Sequence, residues 1–337
     1  MKNNYKSKLE LENRTKLQDV IPLETPFLIY LDPSSACNFK CEFCPSAFST
    51  KEDFEKKTFD FELFKKVIDD LKEFNSPIKV MRMNKIGEPL VNKNISKMIK
   101  YAKDSKMVNF IDFATNASLL NNELSLELVE AGLDKINISI EGVNEEQYKK
   151  YVHADIDFKS FVENIKFLYN NKKQLEITIK IPSNYITEDD KKVFFDTFSD
   201  YCDRIFIENL TSIWPNFDIN ETSKVLNILE YKNQYNIQSI DKKVCPQIFY
   251  SIAINANGSV SACCPDWQEK LIIGNVNNQS VKEIWNSSIL KELQIMHLEG
   301  NRKNNNICAN CGNIKYSQVD NIDEFADYIL NKIRGVK

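Results

Sequence analysis

The chain of 337 residues carries 44 Lys+Arg against 48 Asp+Glu, a formal net charge of -4, with 42% hydrophobic and 27% charged residues. That balance excludes disorder as the dominant state, and it offers no basic excess for nucleic acid or an anionic membrane surface. The longest unbroken apolar run, Phe27-Leu28-Ile29-Tyr30-Leu31, falls far short of the ~20 residues a spanning helix needs. The first 26 residues are polar and lack the apolar stretch of a signal peptide, so a cytoplasmic protein is expected. In a reducing compartment, clustered cysteines point to metal binding or catalysis rather than disulfides, and the chain has 9.

Taken in chain order, residues 1–26 form a polar arm, and an alternation of strands and helices follows. Short β-branched or apolar runs at 27–32, 78–83, 108–115, 134–140, 174–181 and 203–208 read as strands. Between them, 61–71, 94–103, 122–131, 158–169 and 189–198 place apolar residues at helical spacing. Six strand–helix units over 27–214 predict an α/β fold: a parallel sheet closed into a partial β/α barrel, with chemistry at the C-terminal strand ends. Trp214-Pro215 breaks the alternation, and 215–244 is a polar linker with helical character. Residues 245–315 form a small Cys-rich unit, in which two extended runs flank Asn255-Ala-Asn-Gly258 as a β-hairpin. A helix over 280–298 and a C-terminal surface helix within 316–337 complete the pattern.

Cys37-Asn-Phe-Lys-Cys41-Glu-Phe-Cys44 places three thiols directly after the first strand. Structural zinc takes four ligands, and His153 and His297 are the only histidines, so a zinc knuckle would have to be completed from elsewhere. An iron–sulfur cubane on three thiolates would leave one iron open to a non-protein ligand.

This loop resembles the Cys-x3-Cys-x-aromatic-Cys signature of the radical S-adenosylmethionine (SAM) superfamily, with Phe43 as the aromatic residue. The resemblance implies a 4Fe–4S cluster whose open iron binds SAM, and a 5′-deoxyadenosyl radical that abstracts hydrogen from substrate. Ile86-Gly87-Glu88-Pro89 is similar to the family's Gly-Gly-Glu-Pro, with Ile86 in place of the first glycine. Thr115-Asn116-Ala117 stands for Thr-Asn-Gly, and Ser139-Ile-Glu141-Gly142 for the segment approaching the SAM ribose. The implied SAM contacts are therefore Phe43, Gly87, Glu88, Asn116, Ser139 and Glu141. Each motif alone is also ordinary turn chemistry. Their order at successive strand ends carries the resemblance.

Cys245-x12-Gly258-x4-Cys263, with Cys308-x2-Cys311, offers four more thiolates, enough to close a metal site fully. The pattern resembles the SPASM region, or its one-cluster Twitch form, since no cysteine follows Cys311. It is similar to that of the 2-deoxy-scyllo-inosamine dehydrogenase type and implies one auxiliary 4Fe–4S cluster, hence two clusters in all. A four-cysteine zinc ribbon is the plainer alternative. Counting from Gly258 selects Cys263 as the ligand; Cys264, on the opposite face of an extended strand, is packing or a free thiol. Cys202 reads as core.

The resulting expectation is a radical SAM oxidoreductase acting on a small molecule such as a sugar, aminocyclitol or nucleoside. It would use a flavodoxin- or ferredoxin-type reductant and the auxiliary cluster as electron acceptor. Lys180, on the fifth strand, is the candidate base. A peptide maturase would be expected to carry an N-terminal leader-binding domain, for which the 26 residues before the first strand are too few. A radical epimerase would need a hydrogen donor, for which Cys264 is the candidate. A non-catalytic electron-transfer or zinc protein would not need the Glu88 and Ser139 motifs.

Overall fold

A computed structural model describes residues 14–222, 232–235 and 237–335. Strands β1 (Leu28–Leu31), β2 (Ile78–Arg82), β3 (Val108–Thr115), β4 (Lys135–Ser139), β5 (Glu176–Pro182) and β6 (Arg204–Glu208) lie side by side in chain order, all parallel. The helices Phe61–Asp70, Ile95–Ser105, Asn122–Glu130, Phe158–Asn171 and Glu188–Phe198 connect them as expected. Asp60, Asn121, Asp157 and Thr187 start four of these helices by accepting a backbone N–H of the first turn. One further helix, Glu145–Val152, lies outside the five strand-linking helices read from the pattern, although helical spacing already marks Tyr148 and Tyr151 as packing residues; it is capped by Asn144 and buries Tyr148, Tyr151 and Val152.

The strands alternate with period two, apolar outward and polar inward. Ile29, Leu31, Met81, Ile111, Phe113, Ile136, Ile138, Ile177, Ile179 and Ile205 are all at 0% exposure in the core beneath the helices. On the other face the register aligns Tyr30 with Arg82, Arg82 with Asp112, Asp112 with Lys135 and Lys135 with Glu176. One layer above, Asn137 neighbours Thr178, and one layer further Ser139 neighbours Lys180. A closed eight-stranded barrel fills its interior with branched apolar residues. This partial barrel presents a charged and polar interior instead. Arg82 and Asp112 pair bidentately at 2.6 Å for both bonds, and Glu176 receives Lys135 and Arg204 at 2.8 Å each.

The expected hairpin forms from β7 (Ser251–Ile254) and β8 (Ser259–Ser261), but it continues the barrel's own sheet. β7 runs parallel to β1, Leu28 against Ser251 through Leu31 against Ile254. A third strand, β9 (Ile272–Asn275), which alternation did not reveal, extends the order to β6-β5-β4-β3-β2-β1-β7-β8-β9. The helix expected over 280–298 is two, Val281–Trp285 and Ser288–Leu298, because the Ser287 side chain accepts from Leu290 N–H and restarts the helix. The C-terminal helix, Ala326–Arg334, buries Ile329 and Leu330. The stretch 301–306, which composition makes a solvated loop, holds a 3₁₀ turn (Arg302–Asn304) whose arginine turns inward. Much of the expected linker, residues 223–231 and 236, lies outside the described residues. Among the described residues no helix is long and apolar enough to cross a membrane.

The Arg82–Asp112 pair supplies a test of the inward charges. Removing Asp112, 3% exposed, leaves the partly buried Arg82 guanidinium without its carboxylate. Asp112→Leu should cost about 3–5 kcal/mol in urea unfolding, whereas Arg82→Leu/Asp112→Leu should cost less than either single change. Additive losses would show that the pair is not coupled.

Candidate active site and metal centres

Three strand-end loops interlock. The loop after β2 presses on the loop after β1: a Cβ on Gly87 would lie 2.0 Å from the Ser34 carbonyl and 2.6 Å from that of Ala36. Glu88 N–H donates to the Ala36 carbonyl at 3.0 Å. Burial pushes Asp32, at the end of β1, up to about 6, against the opposing pull of Lys85 and the backbone amides of Ile86 and Gly87. Glu88 is 3% exposed, and its Oε1 accepts Leu90 N–H at 3.0 Å and the Thr115 hydroxyl at 2.5 Å. Its Oε2 accepts Asn116 N–H at 2.9 Å, which leaves one lone pair of the carboxylate. Asn116 then donates to Asn38 at 2.9 Å and approaches Cys37 Sγ at 4.0 Å.

Cys37, Cys41 and Cys44 sit on this platform. Burial raises all three thiols, Cys37 to about 11, Cys44 to about 12 and Cys41 well above its ordinary value. Mutual repulsion and Glu141 add to the shift at Cys41. The pocket favours neutral thiols until a cation takes the protons' place. Phe43 stacks on Tyr185, centroids 6.3 Å apart, and Tyr185 stacks on Tyr151 at 4.3 Å. The Tyr185 hydroxyl donates to Glu141 Oε2 at 2.9 Å. Tyr185 has no sequence signal, because it lies in an irregular segment after β5. Ser139 and Lys180 are register neighbours on the interior face. Lys180, the candidate base, is ion-paired with Glu208, a partner that the sequence reading missed. Asn137 Oδ1 and Thr178 Oγ1, buried on the same face, find no partner among the described residues.

Cys245, Cys263, Cys308 and Cys311 line one small cavity, with Gln247, His297, Arg302 and apolar walls from Ile248, Ile307 and Ile314. Burial raises Cys245 to about 11 and Cys308 and Cys311 to about 12, and pushes Cys263 well up; Arg302 opposes the shift at Cys245 and Cys308. Cys264 does not line the cavity. It accepts Gln247 Nε2–H at 3.1 Å and the Tyr30 hydroxyl, and so faces the barrel interior. Gln247 thus touches both compartments. Among the described residues no group of three or more His, Cys, Asp and Glu is arranged around a single ion; the thiols ring a cavity instead. The donor set, four thiols on apolar walls, fits a sulfur-rich cluster.

Comparison with known proteins agrees. Residues 31–188 match the radical SAM superfamily, and residues 245–312 match the SPASM iron-sulfur cluster-binding domain. A tungsten-containing aldehyde ferredoxin oxidoreductase cofactor-modifying protein of Pyrococcus furiosus is 32% identical over 113 residues, 34% of this chain and 30% of that one. Of an uncharacterized Methanocaldococcus jannaschii protein the chain spans 65%, so these relatives share a part rather than a whole. The S-adenosyl-L-methionine-dependent 2-deoxy-scyllo-inosamine dehydrogenase of Niallia circulans is 20% identical over 307 residues, 90% of this chain and 98% of that one. Among solved structures, BtrN in complex with AdoMet and 2-DOIA aligns with a TM-score of 0.55 at 19% identity, over 88% of this chain and 97% of that chain. Streptococcus suis SuiB bound to precursor peptide SuiA aligns at 0.60 and 14% identity, over 92% of this chain and 75% of that chain. These likenesses show the fold. With its ordered strand-end motifs and two thiol clusters, the chain carries a radical SAM domain over residues 31–188 and a C-terminal SPASM iron-sulfur cluster-binding domain over residues 245–312.

Proposed function

We propose that the chain is a radical SAM dehydrogenase that holds a polar small molecule (a sugar, aminocyclitol or nucleoside-like compound) on the interior barrel face and oxidises an alcohol there. The observation that carries this reading is the single cavity lined by Cys245, Cys263, Cys308 and Cys311, one residue removed from the barrel interior through Gln247 and Cys264. Cys37, Cys41 and Cys44 would hold the SAM-binding cluster, and the other four the auxiliary one. When bound, SAM and these clusters supply a 5′-deoxyadenosyl radical and a one-electron acceptor, with a flavodoxin- or ferredoxin-type protein as reductant.

The chain's own residues do the positioning. The remaining lone pair of Glu88 would accept from the SAM ammonium group. Phe43, backed by Tyr185, gives a flat apolar wall. Asn116 fixes the cluster loop through Asn38, and Ser139 with Glu141 Oε1 offers hydrogen bonds to the ribose diol. Gly87 serves by admitting the loop after β1. Asn137 and Thr178 carry unused polar atoms suited to substrate hydroxyls. Because Lys180 is paired with Glu208, we assign deprotonation to the pair: the Glu208 carboxylate takes the alcohol proton and the Lys180 ammonium steadies the charge.

Anaerobic reconstitution should yield about eight irons per chain. Replacing Cys37, Cys41 and Cys44 by Ala should leave about four and abolish SAM cleavage, while stoichiometric zinc without labile sulfide would refute the enzyme.

Glu88→Ala would also orphan three buried donors, so Glu88→Gln is the cleaner probe. It should weaken SAM binding by about 1.5–3 kcal/mol, roughly 10- to 150-fold, with iron content unchanged. Equal affinity by calorimetry would take Glu88 out of the SAM site.

A second reading is favoured by the position of Cys264 beside Tyr30 on the interior side: epimerisation, with this thiol returning a hydrogen atom to the substrate carbon. Oxidation consumes one SAM per two-electron-oxidised product, and Cys264→Ala should then leave turnover near its normal rate. Product formed in deuterated water settles the matter, since one non-exchangeable deuterium in a redox-neutral product would overturn the dehydrogenase.

A further inference from the structure

The helix Ser288–Leu298 delivers His297 into the wall of the four-cysteine cavity, where it is 1% exposed. Its Nδ1 accepts the backbone N–H of Cys245 at 3.3 Å. A ring nitrogen that accepts carries a lone pair, so the imidazole is neutral and its proton sits on Nε2. That Nε2–H is buried and has no acceptor among the described residues. The neighbouring donors are committed elsewhere. The Arg302 guanidinium donates to the Cys308 carbonyl, and Gln247 Nε2 donates to Cys264. Buried donors in native proteins are nearly always paired, so an orphan beside four thiols calls for an acceptor in the cavity itself.

We propose that His297 Nε2–H is a hydrogen bond aimed at a sulfur of the auxiliary cluster, and that it raises the reduction potential of that cluster. The proposal rests on the reading that Cys245, Cys263, Cys308 and Cys311 hold such a cluster. A hydrogen bond to sulfur stabilises the more negative, reduced form more than the oxidised form, which moves the potential upward. The same ring seats Cys245 through its backbone, so one residue both positions a ligand and tunes the centre. This makes His297 a positioning residue that favours electron acceptance, not a ligand.

Two substitutions separate the two nitrogens. In His297→Asn the side-chain oxygen can still accept from Cys245 N–H, but nothing reaches the Nε2 position. In His297→Gln an amide N–H can be restored near Nε2. The readout is the midpoint potential of the auxiliary cluster, followed by electron paramagnetic resonance in the full chain. It is measured with and without Cys37, Cys41 and Cys44 replaced by Ala, to remove the other cluster's signal. His297→Asn should lower the one-electron equilibrium at least tenfold, about 59 mV, with iron content unchanged, and His297→Gln should recover most of it. An unchanged potential in His297→Asn, or equal shifts in both variants, would overturn the proposal.

Should His297→Asn fail to retain its iron, a measurement on unaltered His297 decides. In protein labelled with ¹⁵N-histidine and lacking the first three cysteines, pulsed spectroscopy should detect one nitrogen coupled to the reduced cluster. The other histidine, His153, is half-exposed next to Glu42 in the loop of the first cluster, outside the four-cysteine cavity. No coupling would reject the hydrogen bond. A chain that binds no second cluster would reject the proposal together with the function it rests on, and the iron count tells these failures apart.

Discussion

Backbone pressed against backbone, at two places where only glycine fits, holds the site together. Gly87 meets the Ser34 carbonyl in the loop after β1, and a Cβ on Gly312 would come to 1.8 Å from the Ser212 carbonyl. The first contact brings Glu88 under the cluster loop, where its carboxylate gathers Thr115 and Asn116 from β3; Asn116 in turn reaches Asn38 and Cys37. The second brings Cys311 against the segment that leaves β6, with Asn313 N–H on the Ile213 carbonyl at 3.2 Å. Each contact locks a thiol loop to the C-terminal edge of the sheet. A methyl group at either position would part the loops, and the side chains they align would lose their common geometry.

The interior set by these contacts runs against the usual logic of a core. Charges and amides face inward, and seven thiols in two groups, Cys308 buried and the other six partly buried, have their pKa values raised by desolvation. A fold can keep such an interior only if its outer layer supplies the stability. The outward Ile, Met, Phe and Leu residues of β1 to β6 do this, sealed under the helices. Unpaired atoms such as Asn137 Oδ1, Thr178 Oγ1 and His297 Nε2 are the residue of that compromise.

The six barrel strands, the helices linking them and both thiol sets were legible because each rests on a local pattern: period two, period 3.6, or fixed cysteine spacing. What stayed hidden depends on contacts between distant segments. The sheet continuing from β1 into β7 is a pairing of residues 28–31 with 251–254 that no local pattern encodes. Tyr185 and Glu208 lie in the loop after β5 and at the end of β6, and only the fold brings them to Glu141 and Lys180. His297 reads as one more polar residue in an amphipathic helix until the cavity is built around it. Ser287, by contrast, could have been recognised as a capping residue, and the single helix over 280–298 was an error of local reading.

The two departures from the family's glycines have different physical standing. Ile86 is 7% exposed and packs with Phe54 and Trp267, against Trp214 and Phe217. This small cluster joins the loop after the three cysteines, the end of β2, the segment after β6 and the auxiliary hairpin. Trp267 Nε1–H, donating to the Pro215 carbonyl at 2.9 Å, closes it. A glycine there would leave that junction empty, so Ile86 couples the two cluster regions. Ala117 takes a φ of +56°, a left-handed conformation that costs a residue with a Cβ about 1–2 kcal/mol. Its methyl is buried in the main core at 1% exposure, which returns about 0.8 kcal/mol. The strain at Ala117 is thus only partly offset in place, and it is sustained by the Glu88–Asn116 and Thr115–Ala117 hydrogen bonds that fix the turn.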